Sequence, residues 1–120
     1  MNISADFGIT VTDTLRRKND ELIHRMDLSS DNLNHHRVRE IFPDIDFNSN
    51  TGFLAVTGGR HLELGDNIDN TPIIHVNEIE AIGEGSMSLT KLNKDQSTII
   101  VSAGSGTACI HAQKGVYTHC

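Results

Sequence analysis

The sequence predicts an α/β fold built on a mixed sheet, and two observations carry that reading. Short apolar or β-branched segments recur along the chain, bounded by glycine, proline, asparagine or aspartate, which is the chemistry of strands and turns. The first segments follow one another closely enough to pair antiparallel. Later ones are separated by helix-length stretches and need parallel crossovers, which places helices on the faces of the sheet.

The elements follow in order. Residues 2–7 form an extended apolar segment, interrupted at Gly8 where backbone freedom is needed. Residues 11–17 are rich in β-branched side chains, and Lys18-Asn19-Asp20 supplies a turn before residues 21–28, in which Leu22, His24 and Met26 alternate with other positions. Ser29, Ser30 and Asp31 are candidate N-caps for a helix running to Phe42, which Pro43 stops. Polar residues 44–51 read as loop. Residues 52–57 read as a short buried strand ending in Gly58-Gly59, and a helical turn over 60–64 leads to a loop at Gly65-Asp66-Asn67. Residues 72–76 form another buried strand, with proline tolerated at its first position. Asn77 caps a helix over 78–92, on which Ile79, Ile82, Met87 and Leu89 make an imperfect apolar stripe. A strand over 97–103, the glycine turn Gly104-Ser105-Gly106 and a hairpin over 107–120, turning near Lys114-Gly115, complete the chain. Internal repeats and low-complexity stretches are absent.

Composition narrows the function classes. With 120 residues, 37% hydrophobic and 22% charged, the chain is one small domain or a piece of a larger protein. No apolar run is long enough to span a membrane, and the opening residues lack the pattern of a secretory signal, so a cytoplasmic protein is expected. A net charge of −6 disfavours a binder of nucleic-acid backbones, and Arg16-Arg17-Lys18 reads as a solvated turn. Four Phe, one Tyr and no Trp leave little for base stacking. Two cysteines, Cys109 and Cys120, do not make a disulfide framework.

Three glycine turns end strands: Asp6-Phe7-Gly8-Ile9-Thr10, Thr57-Gly58-Gly59 and Gly104-Ser105-Gly106-Thr107. In such sheets ligands collect at strand ends, and glycine lets backbone amides approach a phosphate closely. Asp6 is able to hold magnesium directly or through water. Each turn by itself is also ordinary strand-to-loop punctuation. A Walker loop is absent, and Gly104-x-Gly106-x-x-Cys109 lacks the third small residue of the dinucleotide fingerprint. Glu78 and Glu80 stand in the first turn of a helix. They serve either the helix dipole or, at a strand's end, a general base facing a cleft. Cys109-x-His111 and His119-Cys120 lie on the two arms of the hairpin, but adjacent strand residues point to opposite faces, which spoils a four-ligand metal site.

Taken together, Asp6-Phe7-Gly8-Ile9-Thr10-Val11-Thr12-Asp13, Val56-Thr57-Gly58-Gly59, the stretch from Pro72 to Gly83 and Ser102-Ala103-Gly104-Ser105-Gly106-Thr107 resemble type II, eukaryote-like pantothenate kinases, the Fumble family. The resemblance implies a ribonuclease H-like, actin-like ATPase fold with a mixed sheet and flanking helices. It implies ATP-dependent, magnesium-assisted phosphorylation of pantothenate, the first step of coenzyme A synthesis. Asp6, Gly8 and Thr10 match the first phosphate loop, with Asp6 toward the metal. Glu78 matches the catalytic glutamate that acts on the pantothenate hydroxyl. Gly104, Ser105, Gly106 and Thr107 match the second phosphate turn, with Ser105 also near substrate, and His119 falls near a substrate-binding arginine. Ile9 replaces a second glycine of the family, and a lysine expected around Thr12-Asp13 is missing. The resemblance divides the chain into an N-terminal actin-like domain, 1–95, and the first strands of a truncated second domain, 96–120. On that reading these strands lack covering helices, so the 120 residues either self-associate, as a homodimer or otherwise, or fold the hairpin back on the first domain, and are inactive alone. The alternatives are a non-catalytic actin-like nucleotide-binding or regulatory module, and a kinase for another small alcohol.

Overall fold

In the computed structural model, residues 2–49, 52–104 and 106–120 are described. The chain divides into two compact units, Met1–Val76 and Asn77–Cys120. The boundary between these units falls just before the long helix.

The first unit opens with an antiparallel meander of β1 (Ile3–Phe7), β2 (Val11–Lys18) and β3 (Glu21–Ser29). Asn19 and Asp20 both take positive φ, 51° and 64°, giving the two-residue turn whose twist matches the flanking strands. After β3 comes α1 (His35–Ile41), then β4 (Leu54–Thr57), a 3-10 turn (His61–Leu64), β5 (Asn67–Ile68) and β6 (Thr71–His75). These strands form one sheet in the order β3-β2-β1-β4-β6-β5. β4 lies parallel to both β1 and β6, and β5 is antiparallel to β6. An antiparallel meander whose first strand begins a parallel run makes this a mixed sheet, so the fold is α/β with a mixed sheet, as expected.

One face of this sheet carries the core. Strand alternation turns Ile3, Ala5 and Phe7 of β1, Leu54 and Val56 of β4 and Ile73 of β6 to the same side. There they meet Val38 and Ile41 of α1, together with Phe42 and Phe47, whose rings pack edge to face at 6.4 Å.

The helix expected over residues 29–42 is only seven residues long. Ser30 continues the sheet instead. Its amide donates to the Thr10 carbonyl, and its hydroxyl shares a buried 2.6 Å hydrogen bond with Thr12 Oγ1. Asn32 then takes a φ of 55°, and Asn34 is the N-cap that prevails, its Oδ1 accepting from the Arg37 amide at 2.8 Å. β5 was expected to be loop; it pairs because Asn67 and Ile68 lie opposite Pro72 and Thr71.

The second unit consists of α2 (Glu78–Thr90) and a sheet of β7 (Thr98–Ala103), β8 (Thr107–Gln113) and β9 (Val116–His119), each antiparallel to the next. Asn77 Oδ1 caps α2 by accepting from the amides of Ile79 and Glu80. Met87 and Gly83 of α2 and Ile110 and Ala112 of β8 are buried, and the Tyr117 ring of β9 rests on Gly83. The helix thus covers one face of strands that were expected to stand without helical cover. The opposite face leaves Ile99, Val101 and Val116 about 60% exposed.

Candidate functional site

Parallel pairing places the ends of β1 and β4 at one edge of the first sheet, with Asp6 directly opposite Thr57. The two glycine turns that follow these strands are thereby brought side by side. Gly58 takes a φ of +97°, and a Cβ there would meet the Phe7 carbonyl oxygen and stand 2.5 Å from Asp6 Oδ1. The Asp6 carboxylate thus lies directly against the second turn. The Arg60 amide donates to the Phe7 carbonyl at 3.0 Å and Arg60 Nε to the Ile9 carbonyl at 2.8 Å, which ties the turns together.

Gly8 closes the first turn by donating to the Val11 carbonyl, and the Thr10 carbonyl is occupied by Ser30. Ile9, where the resembling family has glycine, packs on Gly59, its Cδ1 2.6 Å from the position a Cβ would take. That side chain closes part of the approach a second glycine would leave open. Thr57 Oγ1 is buried with no hydrogen-bond partner among the described residues. A buried hydroxyl without a partner is costly, so its position beside Asp6 marks a place where a polar ligand group fits.

Two histidines stand at the same edge. His75 ends β6 opposite Val56, and its Nδ1 is 2.9 Å from His61 Nδ1. The other ring nitrogen of His75 faces the Gly65 carbonyl, which accepts only, so in the neutral ring Nε2 carries the proton. Nδ1 of His75 is then a lone pair, and His61 donates to it.

In the second unit, Glu78 is exposed at the first position of α2. An open polar cleft of about 450 Å³ is lined by Asn77, Ile79, Glu80, Gly115, Tyr117 and His119. The carboxylate that shares this cleft with His119 is therefore Glu80. Burial, and then the nearby Glu84 carboxylate, push the Tyr117 hydroxyl above its usual value; Tyr117 and Lys94 in turn hold Glu84 low. Gly104 and Gly106 form the β7–β8 turn, with Gly104 N donating to the Gly106 carbonyl at 2.8 Å, and Thr107 begins β8. Ser105 lies outside the described residues.

The structure thus brings Asp6, Gly8 and Thr10 together with Thr57, Gly58 and Arg60 in one unit, and places Glu80 with His119 in the other. Among the described residues no group of three or more His, Cys, Asp or Glu is arranged to hold a metal ion. Sequence reasoning missed Arg60, His61 and His75. Only Arg60 carried a signal, as the cation directly after a glycine pair, because the histidines are fourteen positions apart.

No family model matches the chain, and neither does any curated protein. Among solved structures the chain is similar to YeaZ from Pseudomonas aeruginosa, at 8% identity and a TM-score of 0.49, over 99% of this chain and 65% of that one. It is also similar, at 8% identity and 0.49, to an uncharacterized protein described as resembling the peptidase YeaZ from Pseudomonas aeruginosa, over 99% of this chain and 62% of that one. The chain spans less than two thirds of either. The expected membership of the pantothenate kinases, and the enzyme activity with it, is corrected by these findings. The two structures named are YeaZ and a protein described as similar to it, and no family model, of a kinase or otherwise, matches. The physical reason is that the quoted motifs are strand-and-turn punctuation, which this sheet topology requires whatever its chemistry. No helix among the described residues is long and apolar enough to cross a membrane.

Proposed function

We propose that the chain is a non-catalytic, actin-like nucleotide-binding module that regulates through binding. Its ligand is ATP with magnesium, the phosphates lying at the joined ends of β1 and β4. Asp6 holds the ion directly or through water, Thr57 and Thr10 offer hydroxyls, and Arg60 supplies the positive charge. The observation that carries the reading is the buried Thr57 Oγ1, without a hydrogen-bond partner among the described residues, beside a carboxylate where two parallel strands end. Ile9 packed on Gly59 favours binding over turnover, since it narrows the approach to the turn. A cytoplasmic setting and self-association belong to the same reading.

Titration with a fluorescent ATP analogue, with and without magnesium, tests it. Saturable, magnesium-dependent binding displaced by ATP is expected, without hydrolysis. Asp6→Asn and Thr57→Val are expected to weaken binding about 10- to 100-fold, since a hydrogen bond to a charged group contributes roughly 1.5–3 kcal/mol. Absence of saturable binding, or unchanged affinity in both variants, refutes the proposal.

A further inference from the structure

The geometry points to a reversible disulfide site between Cys109 and Cys120 at the open end of the β8–β9 hairpin. The turn at Lys114 and Gly115, with φ of 54° and 75°, fixes the register, pairing Gln113 with Val116 and Ile110 with His119. One step further along the same ladder, Cys109 faces Cys120, and the Cys120 amide donates to the Cys109 carbonyl at 2.9 Å. Residues directly opposite in an antiparallel pair point to the same face. Cα atoms of such a hydrogen-bonded pair stand about 5.5 Å apart, within the roughly 4.4–6.8 Å that a disulfide spans. Both residues are free thiols, and their sulfurs are 3.0 Å apart. Cys120 is exposed, so a small reagent reaches the pair from solvent.

The reaction requires a small-molecule disulfide such as oxidised glutathione. One cysteine thiolate attacks a sulfur of the reagent and expels one small thiol, leaving a mixed disulfide. The second cysteine, deprotonated, then attacks the protein sulfur of that mixed disulfide and expels the second small thiol. Two cysteine thiols and one reagent disulfide thus become one protein disulfide and two small thiols, so the reagent is reduced and the protein oxidised. The contact with the Cys109 sulfur, and then burial, raise the Cys120 thiol above its ordinary value, so oxidation runs faster as pH rises. The bond closes the hairpin at the end away from its turn. It therefore pins β9, whose Tyr117 rests on α2.

The test incubates the 120-residue chain in glutathione buffers of graded oxidation. Free thiols are counted after denaturation, together with intact mass and a non-reducing gel. The expected result is a product without intermolecular cross-links and with both thiols lost, a mass lower by about 2 Da, full reversal by reductant and slower amide exchange in β9. Cys109→Ser and Cys120→Ser, which barely change side-chain volume, should each stop at the glutathione adduct. Overturning results are a wild-type product carrying glutathione on both cysteines, cross-linked dimers as the main species, or two thiols still free where the single variants are already modified.

Discussion

Replacing Gly58 with alanine probes the joint between the two turns of the first unit. Its φ of +97° is a conformation that costs an L-residue about 1–2 kcal/mol. The added Cβ meets the Phe7 carbonyl oxygen and stands 2.5 Å from Asp6 Oδ1. The carbonyl is backbone, held by the register of β1 with β2 and β4, and it accepts from the Arg60 amide at 3.0 Å. Relief by moving it forfeits a hydrogen bond of about 0.5–1.5 kcal/mol. With overpacking of about 1–3 kcal/mol, the total is roughly 2.5–6.5 kcal/mol against a domain stability of about 5–15 kcal/mol. At a urea slope of about 1–3 kcal/mol per molar, the midpoint followed by circular dichroism should fall by about 1 M or more. Gly65→Ala is the control: its φ of +74° carries the backbone cost, but no atom lies within 4 Å of the new Cβ. That variant should lose only about 1 kcal/mol. Equal midpoints for the two variants would refute the packing of the turns against each other.

Other outcomes follow from the same structure. Gly83→Ala drives a methyl into the Tyr117 ring and should cost about 1–3 kcal/mol, whereas Gly85→Ala, in open space on the same helix, should gain roughly 0.5–1 kcal/mol; thermal melts read the opposite signs. Asp44 is held below the usual carboxylate value, chiefly by its hydrogen bond with Arg16, with Lys18 adding less. Because its folded value is depressed, the stabilisation is present above the unfolded value of about 3.9 and is lost as pH falls through the folded one. Asp44→Asn should therefore be less stable at pH 7, by about 1 kcal/mol, since solvent screens the 38% exposed carboxylate although Arg16 is only 15% exposed, and should converge with the parent in strong acid. Sedimentation velocity should show concentration-dependent association that Val101→Lys reduces, since Ile99, Val101 and Val116 expose an apolar sheet face; a parent chain monomeric at all concentrations would contradict this.

Local chemistry made most of the elements legible. Asn19-Asp20 and Lys114-Gly115 adopt the positive φ that their residue types tolerate, so both hairpins stand where the sequence placed them. Asn77 and Asp6-Phe7-Gly8 are similarly read from neighbours in the chain, because capping and turn energies depend on a few adjacent residues. What escaped the sequence depended on distant partners. Ser29, Ser30 and Asp31 are all competent caps, and only the pairing of Ser30 with Thr10 and Thr12 shows that the helix waits for Asn34. The apolar stripe of α2 says that one face is buried but not against what; the structure packs Met87 and Gly83 toward β7, β8 and β9 and leaves Leu89, expected in the stripe, exposed. Glu78 and Glu80 were indistinguishable by spacing, and only the packing of β9 placed Glu80 in the cleft. The sequence by itself determined the longer strands, their turns and the glycine-edged strand ends. Tertiary structure decided which of those ends meet, through the parallel register that sets Asp6 beside Thr57, because pairing across fifty residues leaves no local signature in the chain.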